Sequence, residues 1–348
     1  MIAPLPSSQR RARRGGGGIT LADVARLAGV SPITASRALN TPDQVAKDTL
    51  ERVRDAVTRT GYVPNRLAGG LASSHSRLVA AVVPTITGPV FMEMVESLTS
   101  ALAEAGYQLM LGQSGYTESR EDALLDAIIG RRPDGIVLTG IMHSADGRRR
   151  LLASNIPVVE TWDLTPTPID MLVGFSHSHA GAAVAQHFHA KGRRRIALLS
   201  GDDERAQRRN RSFVDEAVRL GMARVAADIP VLRVPAPTTL GSGRLGLAKL
   251  LEQMPDVDAV SCSSDLLALG VLTEAAARQL KVPDRLAVMG FGDMSFAGDT
   301  HPALSTVRID GTGMGRQAAR FIVSRAEGLT IDTKVVDLGF QIVQRSST

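Results

Sequence analysis

The chain of 348 residues has a single cysteine, Cys262. One thiol cannot form an internal disulfide, so the fold has no disulfide framework and fits a reducing compartment. No apolar run approaches the roughly 18 residues that cross a bilayer as a helix. The N-terminus carries arginines, but no apolar stretch followed by a small-residue cleavage site, so it does not read as a secretory signal. The expectation is a cytoplasmic protein with no membrane partner.

Catalytic and metal signatures are also missing. Ser263 and Ser264 lack the strained G-x-S-x-G turn of a hydrolase. Gly241, Gly243 and Gly246 match G-x-G-x-x-G but follow a proline-bearing loop rather than a strand, which argues against a dinucleotide. His177, His179, His187 and His189 form two His-x-His pairs. On one helix, side chains two apart face different ways, and no cysteine lies near, so zinc is disfavoured. These readings predict no enzyme, no cofactor and no metal.

What the sequence does have is an uneven charge distribution. The net charge is +5, yet residues 1–77 hold 12 Lys and Arg against 5 Asp and Glu, and the remainder is slightly acidic. A basic head on an acidic body suits a protein that grips a polyanion. Residues 1–18 are rich in Pro, Ser, Arg and Gly and read as a disordered basic tail. Residues 19–64 read as helical, 65–77 as a hinge, and 78–348 as a separate body.

In the body, apolar runs alternate with amphipathic helical stretches. The runs lie at 78–83, 107–111, 135–140, 156–160, 195–201, 229–234, 259–262 and 286–292. This alternation predicts parallel sheets covered on both faces. So many strands are best divided between two doubly wound lobes, with a ligand site at the strand ends between them.

The head carries the most specific pattern, TLADVARLAGVSPITASRALN at 20–40. Leu21, Val24, Ala25 and Ala28 make one apolar helical stripe. Gly29 ends that helix, Ser31 caps a second, and Pro32 occupies its first turn. Ala35, Ala38 and Leu39 then pack inward, leaving Pro32, Ile33, Ser36, Arg37 and Asn40 outward. A helix presenting its N-terminal residues to base edges in the major groove is the helix-turn-helix design.

That block, the following YVPNRLA at 62–68 and the later GFGD at 290–293 resemble the lactose/galactose repressor (LacI/GalR) family, over Ile19–Thr348. Stretches such as VVETWDLTPTPIDMLVGFSH resemble its gluconate-repressor-like branch. The resemblance implies an all-α helix-turn-helix head and a periplasmic-binding-protein-like α/β effector domain. Its first lobe would span about 78–175 plus 308–338, and its second about 176–307 plus 339–348. It implies a transcription regulator, most simply a repressor of sugar or sugar-acid use, that binds operator DNA as a homodimer. A chain ending at QIVQRSST without a further heptad helix fits a dimer. Control by a partner protein, and sugar binding without DNA, remain alternatives.

Residue roles follow from the resemblance. The DNA-facing set is Thr20, Ser31, Pro32, Ile33, Thr34, Ser36, Arg37, Asn40, Tyr62, Asn65, Ala68 and Leu71. Pro32 and Ile33 set operator choice, Arg37 reads guanine, and Thr34 and Ser36 meet phosphates. Leu71, with Ala68 on the same face, is a minor-groove wedge, flanked here by Gly69 and Gly70, which disfavour a helix. The effector set is Thr85, Glu160, Trp162, Arg209, Ser264, Asp265, Gly292 and Asp293. Arg209, on the GDDERAQRRNRSF loop, is the ligand-binding arginine. Gly292 stands where many relatives have an aspartate for sugar hydroxyls, and that loss favours an anionic effector such as gluconate.

Overall fold

The computed structural model describes residues 19–63, 76–86, 89–115, 118–141 and 143–348. The sequence readings for the tail (1–18), for Pro64 and for hinge residues Asn65, Ala68, Gly69, Gly70 and Leu71 lie outside them.

The head is one compact unit, in which the described residues form three α-helices, α1 (Leu21–Ala28), α2 (Pro32–Asn40) and α3 (Lys47–Thr60). Local chemistry sets the boundaries. Thr20 and Asp23 form a reciprocal capping box at the start of α1, and Gly29 ends it in the left-handed conformation at φ 65°. The Ser31 side chain accepts the Thr34 amide at the start of α2. Val24, Ala25, Ala28, Ala35, Ala38, Val53 and Ala56 are buried together as the core. Arg52 of α3 donates to the Ala28 carbonyl at 3.2 Å and ties the third helix to the turn. Ser31→Ala should cost the head about 1 kcal/mol through loss of its cap, visible as a lower thermal midpoint of its DNA binding.

The body is a second unit. Its elements are β1 (Leu78–Val83), α4 (Met92–Glu104), β2 (Gln108–Gln113), α5 (Glu118–Ile129), β3 (Gly135–Thr139), α6 (Ala145–Ser154), β4 (Val158–Thr161) and β5 (Met171–Gly174). There follow α7 (His177–Ala190), β6 (Ile196–Gly201), α8 (Glu204–Arg219), β7 (Val231–Val234), α9 (Leu240–Gln253), β8 (Ala259–Cys262), α10 (Asp265–Ala277) and β9 (Ala287–Phe291). The chain ends with β10 (Ser305–Arg308), α11 (Gly311–Ala326), β11 (Val335–Asp337) and β12 (Gln341–Val343).

Two six-stranded sheets result, ordered β11-β5-β4-β3-β1-β2 and β12-β10-β9-β8-β6-β7. All pairings are parallel except β10 with β12. The chain passes between the sheets three times, after β5, β10 and β11. Each of the eight expected apolar runs overlaps a strand. Strands β5, β10, β11 and β12, three or four residues long, are not among those runs.

One local expectation is corrected. The segment expected as a loop around Arg209 is helix α8. Asp203 caps it by accepting the Ala206 amide at 3.0 Å, and only Ala206, Phe213 and Ala217 are buried. So thin an apolar stripe hides helical periodicity behind charge. Gly241, Gly243 and Gly246 lie inside α9, which starts after the proline-bearing loop that follows β7. Among the described residues no helix is long and apolar enough to cross a membrane.

Candidate functional site

On the head, α2 exposes Pro32, Ile33 and Arg37, with Ile33 68% exposed. Its polar residues divide into two groups. Ser31 and Thr34 hydroxyls pair at 2.9 Å, and the Asn40 amide donates to the Ser36 hydroxyl at 3.3 Å. Arg37 has no ion-pair partner among the described residues, whereas Arg26, Arg52 and Arg59 pair with Asp23, Asp48 and Asp55. An unpaired guanidinium on the outer face of a capped helix suits bidentate contact with a base edge or phosphate. Thr20 spends its hydroxyl on Asp23, at 2.6 Å, and Tyr62 packs half-buried on the head core.

In the body, a cleft lies at the carboxyl ends of the central strands of both sheets. The first lobe contributes Thr85, Val90, Phe91 and Trp162. The second contributes Asp203, Arg205, Arg209, Thr238, Ser263, Ser264 and Phe291, and His177 stands where the chain crosses between them. The cleft holds about 700 Å³ of space, including its open mouth.

Trp162 adopts the left-handed conformation at φ 66°, rare for a bulky side chain. Its ring is held by an edge contact with Phe91 (5.1 Å between centroids) and by its indole N–H, which donates to the Met94 sulfur at 3.1 Å. Local strain held by surrounding contacts is characteristic of ligand sites.

Arg209 is the central charge. Its guanidinium lies 3.9 Å from the Phe291 ring centroid. One terminal nitrogen donates to His177 Nδ1 at 3.0 Å, the other to the Ser263 carbonyl at 3.3 Å. Burial lowers its pKa to about 10, with Asp203 opposing, so it stays cationic at neutral pH. Arg205 also faces the cleft, over the Phe91 ring at 5.2 Å. Arg208 is turned to Asp163 across the lobes, at 2.7 and 2.9 Å. Among the described residues the lining thus has two guanidinium groups and one carboxylate, that of Asp203.

The expected effector residues separate into two groups. Thr85, Trp162, Arg209 and Ser264 line the cleft. Ser264 caps α10 and pairs with the Thr238 hydroxyl at 2.8 Å.

The other four do not line it. Glu160 is a correction, because it is fully buried within β4 and does not reach the cleft. One carboxylate oxygen accepts the Ile169 amide at 2.6 Å, and the other is 3.4 Å from His143 Nε2. His143 reaches Glu121 on its opposite side at 2.5 Å. Burial alone would lower the His143 pKa, but the hydrogen bond to Glu121 and the close carboxylates of both glutamates outweigh it and raise it to about 9. Asp265 is buried behind the wall, where it accepts from Thr306 (2.6 Å) and the Met294 amide (2.7 Å). Burial is the largest influence on its carboxyl and lifts the pKa to about 6. Asp293 pairs with Arg345 at 2.7 Å. Gly292 takes φ 125°, which disfavours any side chain, and a Cβ there would crowd Val90 across the cleft at 3.3 Å. A backbone conformation accounts for this glycine.

In the sequence His177 stands out only within the His-x-His pairs, and Phe91, Asp203, Arg205 and Thr238 carry no signal of their own. The neighbourhood of each is made by elements distant in sequence.

Known proteins agree with this architecture. A model of bacterial regulatory proteins of the lacI family matches residues 20–65, and one of a periplasmic binding protein-like domain matches residues 185–348. The chain is 37% identical over 332 residues to the HTH-type transcriptional regulator GntR of Pseudomonas aeruginosa, covering 94% of this chain and 95% of that one. It superposes with a TM-score of 0.88 on a lacI-family transcriptional regulator from Silicibacter pomeroyi, at 30% identity over 94% of this chain and 99% of the other. A transcription regulator GntR from Chromobacterium violaceum gives a TM-score of 0.74 at 33% identity, over 78% of this chain and 98% of the other. By its capped recognition helix, its two-lobed body and these likenesses, the chain belongs to the lacI family of DNA-binding transcriptional regulators.

Proposed function

We propose that this regulator represses genes for sugar-acid use and that its effector is a sugar acid such as gluconate, held in the cleft by Arg209. The charge of the cleft lining carries the reading. Among the described residues Arg205 and Arg209 face a single lining carboxylate, so one ligand carboxylate would bring that lining to neutrality. Ring faces of Phe91 and Trp162 and hydroxyls of Thr85, Thr238 and Ser264 suit a polyhydroxylated chain. The name GntR shared by two relatives supports the same reading. The protein acts as a cytoplasmic homodimer on operator DNA, without catalysis.

The test is a thermal-shift screen of the full chain against neutral sugars, sugar acids and sugar phosphates. Gluconate at a hundred times its dissociation constant should add about 2.7 kcal/mol of stability. Stabilisation by neutral sugars alone would refute the sugar-acid reading.

On the head, Arg37 is the residue proposed to read sequence, with Pro32 and Ile33 offering only apolar contact. Arg37→Ala should narrow the gap between preferred and scrambled duplex by about 1–3 kcal/mol. Titrations of both duplexes at one salt concentration measure it. An equal loss on both would make Arg37 a phosphate contact.

A further inference from the structure

His177 is the first residue of α7, immediately after the chain crosses from the first sheet to the second. Its imidazole is buried between two partners of opposite demand. Nε2 lies 2.8 Å from the carbonyl oxygen of Trp162, which can only accept. Nδ1 lies 3.0 Å from a terminal nitrogen of Arg209, which can only donate. The pair of contacts therefore fixes one form of the ring, with the proton on Nε2 and the lone pair on Nδ1.

The fold supports this relay. Gly181 lies one turn beyond His177 on α7, and a Cβ there would overlap the carbonyl oxygen of Arg209. Its absence lets α8 approach closely enough for His177 to reach the guanidinium. Phe175 and Phe291 flank the imidazole at 4.5 and 6.5 Å between centroids. Burial, then the charge of Arg209, holds its pKa well below the usual histidine value.

We infer that His177 is a positioning residue for effector binding: its neutral, Nε2-protonated imidazole aims the Arg209 guanidinium so that one N–H of each terminal nitrogen faces the cleft. The inference rests on Arg209 as the effector contact. His177 and Ser263 take one N–H from each terminal nitrogen, leaving the second of each pair for the two oxygens of a carboxylate. The Trp162 carbonyl anchors the ring to the wall of the opposite lobe, so the aim of the arginine follows the position of both lobes.

Two substitutions separate the contacts. In His177→Asn, the side-chain oxygen replaces Nδ1 as the acceptor for Arg209. In His177→Gln, the amide nitrogen replaces Nε2 as the donor to Trp162, and the acceptor for Arg209 is lost. Gluconate binding to the full chain by calorimetry should weaken about 10- to 100-fold in the Gln variant, the weight of a hydrogen bond to a charged group. The Asn variant should stay within about threefold of wild type, since the charged hydrogen bond persists. Equal losses in both variants would overturn the inference.

Nitrogen chemical shifts of the His177 ring in the ligand-free protein provide a second readout. They should show a neutral ring protonated at Nε2, with Nδ1 moving when Arg209 is changed to Met. An imidazolium, a ring protonated at Nδ1, or an Nδ1 indifferent to Arg209→Met would overturn the inference. Failure of gluconate to bind wild type would refute the sugar-acid reading, and the ring measurement would still decide the role of His177.

Discussion

Replacing Arg209 with alanine is expected to remove the response of the protein to gluconate while leaving the fold intact. Truncating one member of a buried, hydrogen-bonded charge pair costs about 2–5 kcal/mol of binding. At a gluconate concentration that stabilises wild type by about 2.7 kcal/mol, the variant should gain less than about 1 kcal/mol. The unliganded protein should tolerate the change, because Arg209 is a cation desolvated without a direct carboxylate partner, and losing such a charge is no great penalty. Thermal shifts of both proteins at matched gluconate check this. A full shift in the variant would move the anion contact elsewhere in the lining, with Arg205 the next cation to test.

The second large effect concerns stability. His143 lies between Glu121 and Glu160, with a side chain 2% exposed. His143→Leu leaves the Glu160 carboxylate buried without its countercharge and should cost about 3–5 kcal/mol. The pH dependence has a definite sign. The folded-state pKa, about 9, lies above the ordinary histidine value of 6.5. The stabilisation is therefore complete below pH 6.5 and is lost as pH rises through 9. Its size is of the order of 3 kcal/mol, from the shift between folded and unfolded values. Urea unfolding at pH 6.5 and 9.5 should show this loss in wild type and a flatter dependence in His143→Leu. A wild-type stability unchanged over that interval would mean that the ring is neutral.

The sequence revealed most where the causes are local. The head could be read in detail because its boundaries are set by neighbours: Thr20 with Asp23, Gly29 at positive φ, Ser31 with Thr34. The long strands showed as apolar runs because both faces of each sheet are covered. Glu160 misleads, since a carboxylate near the end of an apolar run suggests a ligand contact when its partners are buried protein groups. Its partner His143 lies 17 residues earlier, and no short-range pattern links them. Arg209 was found by resemblance, but its helix was hidden by its own charge. His177 acquires meaning only beside Trp162 and Arg209, 15 and 32 residues away. Closely spaced signals survive in a sequence; convergence of distant segments in a cleft does not.

The most direct test of the account is a DNA-binding titration of the full chain, with a duplex selected from random sequence, in the presence and absence of gluconate. The account predicts binding to a pseudopalindrome that weakens steeply with salt. It also predicts an affinity that gluconate shifts at least about tenfold in wild type, a coupling of ordinary size for allostery, and leaves unchanged in Arg209→Ala. An affinity indifferent to gluconate in a wild-type protein that binds it, or a shift of equal size in Arg209→Ala, would contradict the account.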